Sequence, residues 1–316
     1  MLFRPWLFKN KTKNKKQAAN PQQHIEHLFE KTKKSSDFVQ ISITNEDGAF
    51  ILSYYSSLID RKLLQNKILH SVQEHSLHTG SLQQLDGIKT LFPIEDIVIT
   101  DQVEVIEAKL LKGYAALQLK ATDHQCALIN LSHGNLGLRD QSDAENEFSV
   151  VGPKIGLLEH IDTNIHMLRQ QINSPDLIIK EIMIGSMSHT KVAIVYIEGV
   201  TSEQHVQTMV QRLQNIDFDV VFDSSQLHQF ISDNSLTPFP LSLSTERLDR
   251  TVWALINGQV AVLSNGSPYA ITAPATLLDF FVSPEDYYLP WVIASFFRLK
   301  FSVHPKIRII QTGVGE

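Results

Sequence analysis

Residues 245–272 read TERLDRTVWALINGQVAVLSNGSPYAIT. Leu248, Val252, Leu255 and Ile256 recur at helical spacing, and Thr245 stands where an N-cap is expected. Gly258 ends that helix. Val260 to Leu263 form an apolar strand, and Tyr269 to Thr272 form its return. Between them, Asn265-Gly266 is the strongest short hairpin signal, suited to the positive φ angles of a type I′ turn. A helix feeding a hairpin argues for mixed α/β architecture with partly antiparallel sheets, and against a doubly wound parallel sheet.

The same alternation extends outward. Leu158, Ile161, Ile165, Leu168 and Ile172 mark one helix face within 154–173, and Pro175 stops it. Leu177–Ile184 and Lys191–Ile197 read as strands joined through Gly185 to Ser188. Thr201 with Gln204 forms a capping box for a helix carrying Val206, Met209, Val210 and Leu213. Ala275 to Phe281 reads as a short apolar helix. In the first half, Phe38–Ile43 and Phe50–Tyr55 read as an antiparallel pair about the turn Asn45 to Gly48. Leu64, Ile68, Leu69 and Val72 then give a helix over about 60–75. Val103–Leu111 gives another, ended by Gly113. Tyr114–Lys120 and Gln125–Leu131 form a second hairpin. No internal repeat is visible.

The expected organisation is a basic, disordered leader over 1–34 and a first subdomain over 35–132. A polar linker over 133–149 leads to a second subdomain over 150–284, and then to a helix and tail over 285–316. Each subdomain is expected to hold a mixed, partly antiparallel sheet packed by helices. A chain of 316 residues is long enough for two cores.

Charge and composition exclude several classes. Residues 1–34 carry nine Lys or Arg and two acids, or +7, while the remainder carries -13 within a total of -6. An acidic body is poorly suited to tracking phosphates, so no nucleic-acid partner is expected. The start, Met1 to Phe8, is interrupted by Arg4 and is too short for a signal peptide. With the lysines at 9–16 it reads as a solvated leader or as a weak anchor at an anionic membrane surface. No stretch approaches the ~18 apolar residues of a membrane span. The single cysteine, Cys126, lies in an apolar strand and reads as a buried hydrophobe.

No catalytic pattern is present. The His24/His27 and His75/His78 pairs lack further ligands, so neither a metal nor any other cofactor is expected. There is no G-x-S-x-G elbow and no phosphate-cradling glycine loop. Asp217 and Asp219 read as an acidic loop. Arg247 lies in a first helical turn, where a cation opposes the dipole, and is expected to find a carboxylate or a ligand.

Four segments stand out: Gly152-Pro153-Lys154-Ile155-Gly156-Leu157-Leu158-Glu159 with Thr163-Asn164; Thr245-Glu246-Arg247-Leu248-Asp249; Asn265-Gly266-Ser267-Pro268; and Ser283-Pro284-Glu285-Asp286-Tyr287-Tyr288. In this order, with Arg169 and Tyr196-Ile197 between them, they resemble the soluble N-terminal region of the A subunits of GerA-type spore germinant receptors. The family pattern reads G-P-x-x-G-F-x-E-x-x-x-x-N, then T-E-R-P-D, D-G-S-P and S-P-E-D-Y-Y. Here Leu157 replaces the aromatic, Leu248 the proline and Asn265 the aspartate, and Gln170 and Gln171 stand where basic residues are expected.

The resemblance implies two α/β subdomains facing the cytoplasm at the spore inner membrane, and assembly with B and C receptor subunits. It also implies a response to a small nutrient germinant such as an amino acid, a sugar or a nucleoside. No catalytic residue carries over, and no enzyme activity is expected. The junction between the subdomains is the expected working surface. Asn164, Glu246, Arg247, Asp249 and Ser267 are its candidate ligand-binding residues. An alternative is a scaffold in which the same motifs only cap helices and shape turns, or a truncated subunit without function. The family's membrane spans are expected just after Tyr288, where this chain has only Trp291–Phe297 before Arg298 and Lys300.

Overall fold

The computed structural model describes residues 21–45, 48–69, 92, 94, 96–119, 125–132, 147, 155–221, 223–231, 241–276 and 279. In its first unit, helix α1 (Pro21–Thr32) precedes the hairpin β1 (Phe38–Asn45) and β2 (Gly48–Tyr55). Next come a short helix α2 (Arg61–Leu63) that continues as a π-helical stretch (Leu64–Leu69), strand β3 (Ile97–Thr100) and helix α3 (Val103–Leu110). The hairpin β4 (Tyr114–Gln118) and β5 (Cys126–Asn130) closes the unit. The second unit runs α4 (Ile161–Gln171), β6 (Leu177–Ile184), β7 (Thr190–Ile197), α5 (Glu203–Gln214) and α6 (Ser224–Ile231). It ends with β8 (Leu243–Thr245), α7 (Leu248–Ile256), β9 (Val260–Ser264) and β10 (Ala270–Ala273).

Each unit is a five-stranded sheet, ordered β1-β2-β4-β5-β3 and β6-β7-β9-β10-β8. Every pairing between the described strands is antiparallel. The two orders are the same order. In both, a helix precedes the first hairpin, an edge strand follows it, and a further helix leads into the second hairpin. The chain is thus a repeat of topology that its residues do not show.

Burial explains how different residues make the same layers. Ile25, Leu28 and Phe29 of α1 and Ile106 and Leu110 of α3 cover one face of the first sheet, while Leu64 and Ile68 cover the other. In the second unit α4 and α7 cover one face, through Ile161, Ile165, Leu168 and Leu255. Helices α5 and α6 cover the other face, through Val206, Met209, Leu213 and Leu227. Sheets buried on both faces need continuous apolar strands, as in Cys126–Ile129 and Val260–Leu263.

Equivalent turns share equivalent glycines. Gly113 after α3 and Gly258 after α7 both have φ +84. A Cβ on Gly113 would stand 2.7 Å from the Leu58 carbonyl oxygen, and one on Gly258 3.1 Å from that of Val200. Leu58 and Val200 each lie three residues past their hairpin's second strand. In both units a helix therefore ends hard against the same loop.

Four expectations are corrected. Helix α1 shows that order begins well before Ser35, because Ile25, Leu28 and Phe29 are buried and each such side chain contributes about 2 kcal/mol. The leader is thus not disordered through residue 34, and the anchor segment at its start lies outside the described residues. Thr245 does not cap α7, because its backbone pairs with Ala270 in the sheet. Arg247 takes the N-cap position instead. Thr201 likewise accepts from the Ile197 N–H, and Ser202 is the N-cap of α5. Finally, Gly266 has positive φ but Asn265 does not, and the Ser267 N–H donates to the Ser264 carbonyl. That is the pattern of a type II turn, not type I′. Asn265 is held by both neighbours: its N–H donates to the Lys191 carbonyl and its side-chain oxygen accepts from the Ile161 N–H.

The segments Gly152 to Lys154 and Ser283 to Tyr288, the 133–149 linker apart from Glu147, and the C-terminal tail lie outside the described residues.

Candidate functional site

Three of the four sequence segments meet in the second unit. Ile155 to Leu157 run beside Glu246 to Leu248, with Gly156 opposite Arg247. The Leu157 N–H donates to the Glu246 carbonyl at 2.7 Å. On the other side, the Gly266 N–H donates to the Glu159 carbonyl at 2.7 Å. Residues 155–159 are therefore laced between the T-E-R and N-G-S-P segments, which explains why these motifs occur together.

The five candidate residues lie in or beside this lacing. Asn164 is 1% exposed, and its carboxamide brackets Leu158, accepting from the N–H at 2.7 Å and donating to the carbonyl at 2.5 Å. Glu246 and Arg247 are buried. Arg247 meets Asp249 bidentately, Nε to Oδ1 at 3.0 Å and Nη2 to Oδ2 at 2.7 Å, so it has the carboxylate partner its position called for. Ser267 is buried and shares a hydrogen bond with the Ser224 hydroxyl at 2.7 Å. Beside them, burial raises the Glu147 carboxyl, although the Thr245 hydroxyl and the Arg250 and Arg247 charges oppose it.

The junction between the units is built from other residues. The Arg169 guanidinium of α4, fully buried, grips Asp37 ahead of β1 through Nε to Oδ2 at 2.9 Å and Nη2 to Oδ1 at 2.7 Å. Nη2 also donates to the Ser35 hydroxyl at 2.8 Å, and the group lies 4.5 Å from the centre of the Tyr55 ring. The hydroxyls of Ser35 and Ser57 both donate to the Asp37 carboxylate at 2.6 Å. Burial pushes this carboxyl up, but Arg169 and the hydroxyl donors outweigh it and hold it below the ordinary carboxylate range. Burial also raises the Tyr55 phenol, whose hydroxyl is buried without a hydrogen-bond partner among the described residues.

A second clasp mirrors the first. Lys31, near the end of α1, meets Asp176 ahead of β6 at 2.5 Å, just as Arg169, near the end of α4, meets Asp37. It is the weaker of the two, because Lys31 and Asp176 are 30% and 43% exposed and screened by solvent. Between the clasps, Ser36 closes part of the open edge of β6, its N–H donating to the Ile179 carbonyl at 2.7 Å. His166 adds another link. Its Nδ1 lies 2.7 Å from the Ser57 carbonyl, which can only accept, so Nδ1 carries the proton; Nε2 then accepts from Gln170 at 2.9 Å.

Next to this link, a cleft of about 370 Å³ opens between the units. The first unit lines it with Ser56, Ser57, Ile59 and Asp60 to Lys62. The second contributes His160, Asp162, Thr163 and His166. None of the five sequence candidates lines it, although Asn164 follows Thr163 directly. Among the described residues no three His, Cys, Asp or Glu groups are placed to hold a metal.

The chain matches the family model of the Bacillus/Clostridium GerA spore germination protein over residues 23–305. It belongs to the GerA family. It is 40% identical over 275 residues to the spore germination protein GerQA of Bacillus cereus, covering 87% of this chain and 54% of that protein. It is 30% identical over 304 residues to spore germination protein KA of Bacillus subtilis, covering 95% of this chain and 52% of that protein. The chain thus spans about half the length of these curated relatives. Among solved structures it is similar to the N-terminal domain of the A subunit of the Bacillus megaterium spore germinant receptor GerK3. That match has a TM-score of 0.57 at 25% identity and covers 79% of this chain and 93% of that one. The GerA chain therefore corresponds to the N-terminal region of a germinant receptor A subunit. None of these names describes an enzymatic reaction. Among the described residues no helix is long and apolar enough to cross a membrane.

Proposed function

We propose that this region senses nutrient germinants, or couples their sensing to the start of germination, without catalysing a reaction. It does so on the cytoplasmic face of the spore inner membrane, in a receptor assembled with B and C subunits, and its working surface is the junction between the two units. The observation that carries this proposal is the junction itself: a cleft of ligand size beside a buried clasp, lined by residues of both units. Asn164, Glu246, Arg247, Asp249 and Ser267 act on the response through the segment 155–159, which leads into the cleft-lining turn of α4.

The competing role is a scaffold that only assembles subunits. An A subunit carrying Arg247→Ala separates the two. Intact co-purification of B and C subunits with loss of the germinant response supports sensing or coupling. Loss of co-purification, with the region still folded, refutes it in favour of the scaffold. Thermal shifts of this region across amino acids, sugars and nucleosides test direct binding, and no shift well above plausible dissociation constants would leave only the coupling role.

A further inference from the structure

The chemistry of the cleft points to a class of ligand, given the assignment of the junction as working surface. Its acids are already engaged. Asp60 accepts from the N–H groups of Lys62 and Leu63 at 2.8 and 3.2 Å. Asp162 meets Lys191 at 2.8 Å, a lysine it shares with Glu181 at 2.9 Å. Burial raises the Asp162 carboxyl, but Lys191 and, more weakly, Arg61 and His160 hold it below its ordinary value. The hydroxyls of Ser56 and Ser57 are engaged too, both donating to Asp37.

The remaining donors are uncommitted. Arg61 and Lys62 are exposed at the mouth and make no side-chain hydrogen bond or ion-pair contact with any described residue. The same holds for the side chains of His160 and Thr163 across the cleft. The open groups are thus a guanidinium fork, an ammonium, an imidazole and a hydroxyl, facing one another across the junction. A carboxylate or phosphate satisfies a guanidinium fork bidentately. The volume lies at the small end of the ~300–1,000 Å³ range of ligand pockets.

We propose that the cleft binds a small oxyanion, a carboxylate or phosphate on a compact body, held by Arg61 and Lys62 from one unit and His160 and Thr163 from the other. Because the donors come from both units, the bound anion draws the cleft together and favours one relative orientation.

The test is a titration of the isotope-labelled protein, followed by backbone amide shifts, with succinate, inorganic phosphate and the uncharged analogue succinamide at constant ionic strength. Succinate or phosphate should give saturable shifts at residues 60–63 and 160–163, and succinamide none. Arg61→Gln should weaken binding by at least ~10-fold, through loss of a charge-assisted fork. Lys112→Gln, an exposed lysine at the end of α3, should leave binding unchanged. The proposal is overturned by no saturation up to ~50 mM, by equal binding of succinamide, or by equal weakening in the two variants. Amide shifts do not depend on germination. Anion binding at these residues without any spore response would refute the sensing role and leave the site standing; a spore response without anion binding would do the reverse.

Discussion

Arg169→Ala removes the cation from the buried clasp and leaves Asp37, 3% exposed, with only hydroxyl donors. Removing one partner of a buried pair costs about 3–5 kcal/mol, because the stranded charge keeps its desolvation penalty. Arg169 here makes two contacts to the carboxylate, one to Ser35, one to the Ser174 carbonyl and one to the Tyr55 ring. The expected loss is therefore about 4 kcal/mol, or roughly 10 °C in Tm at this size. The pH dependence is distinctive. In the wild type the Asp37 carboxyl is held below its ordinary value of 3.8, so its stabilisation is complete above that value and is lost as pH falls through the lower folded one. Without Arg169 burial dominates, the carboxyl moves above its ordinary value, and protonation relieves it. The gap between variant and wild type should therefore be widest at pH 7 and narrow below about pH 4. Asp37→Asn combined with Arg169→Leu should recover most of the loss. Urea unfolding of the three proteins across this pH range measures all of this. A loss under about 1 kcal/mol, or one of constant size from pH 7 to pH 3, would refute the account of the clasp.

Gly113→Ala should destabilise the first unit by more than about 1 kcal/mol and Gly258→Ala the second by less, since the new methyl meets backbone oxygen at 2.7 Å in one case and 3.1 Å in the other. Equal effects in thermal melts would count against this. Asn164→Ala should cost about 2 kcal/mol by unbracketing both polar groups of Leu158 while leaving α4 helical by circular dichroism. The Cys126 thiol, fully buried, should react with a thiol reagent only as fast as the first unit opens. Fast labelling of the native protein would place it at the surface instead.

The elements that packing alone decides were legible in the sequence. The stripe of α4 from Ile161 onward, the hairpin β6–β7 and the glycine stops at 113 and 258 follow from spacing and φ preference, and the structure has them. Leu158, read into the same helix face, lies before the helix, because residues 155–157 run beside 246–248 instead. Capping was less legible. Thr245 and Thr201 have the right chemistry, but whether a threonine caps depends on whether its backbone already belongs to a strand or turn. Helix α1 was hidden because lysines before and after it dominate the charge pattern, and its buried apolar residues, Ile25, Leu28 and Phe29, are few. Of the site, Arg247 was readable as a cation needing an acid, because that partner lies two residues away. The Arg169–Asp37 clasp joins residues 132 apart in sequence, and no local pattern announces it. The signals were Arg169 within the family resemblance and the Ser-x-Asp that precedes both β1 and β6.

The duplicated topology has one more consequence. Two equal halves joined through matching surfaces form, in effect, a dimer within a single chain, and a fused dimer is free to become lopsided. Here one clasp is arginine, dry and bidentate, and its twin is lysine, wet and single. Relative motion of the halves therefore costs least when the lysine clasp parts and the arginine clasp stays shut. The molecule holds its halves with one strong joint and one weak one, both built on the same pattern.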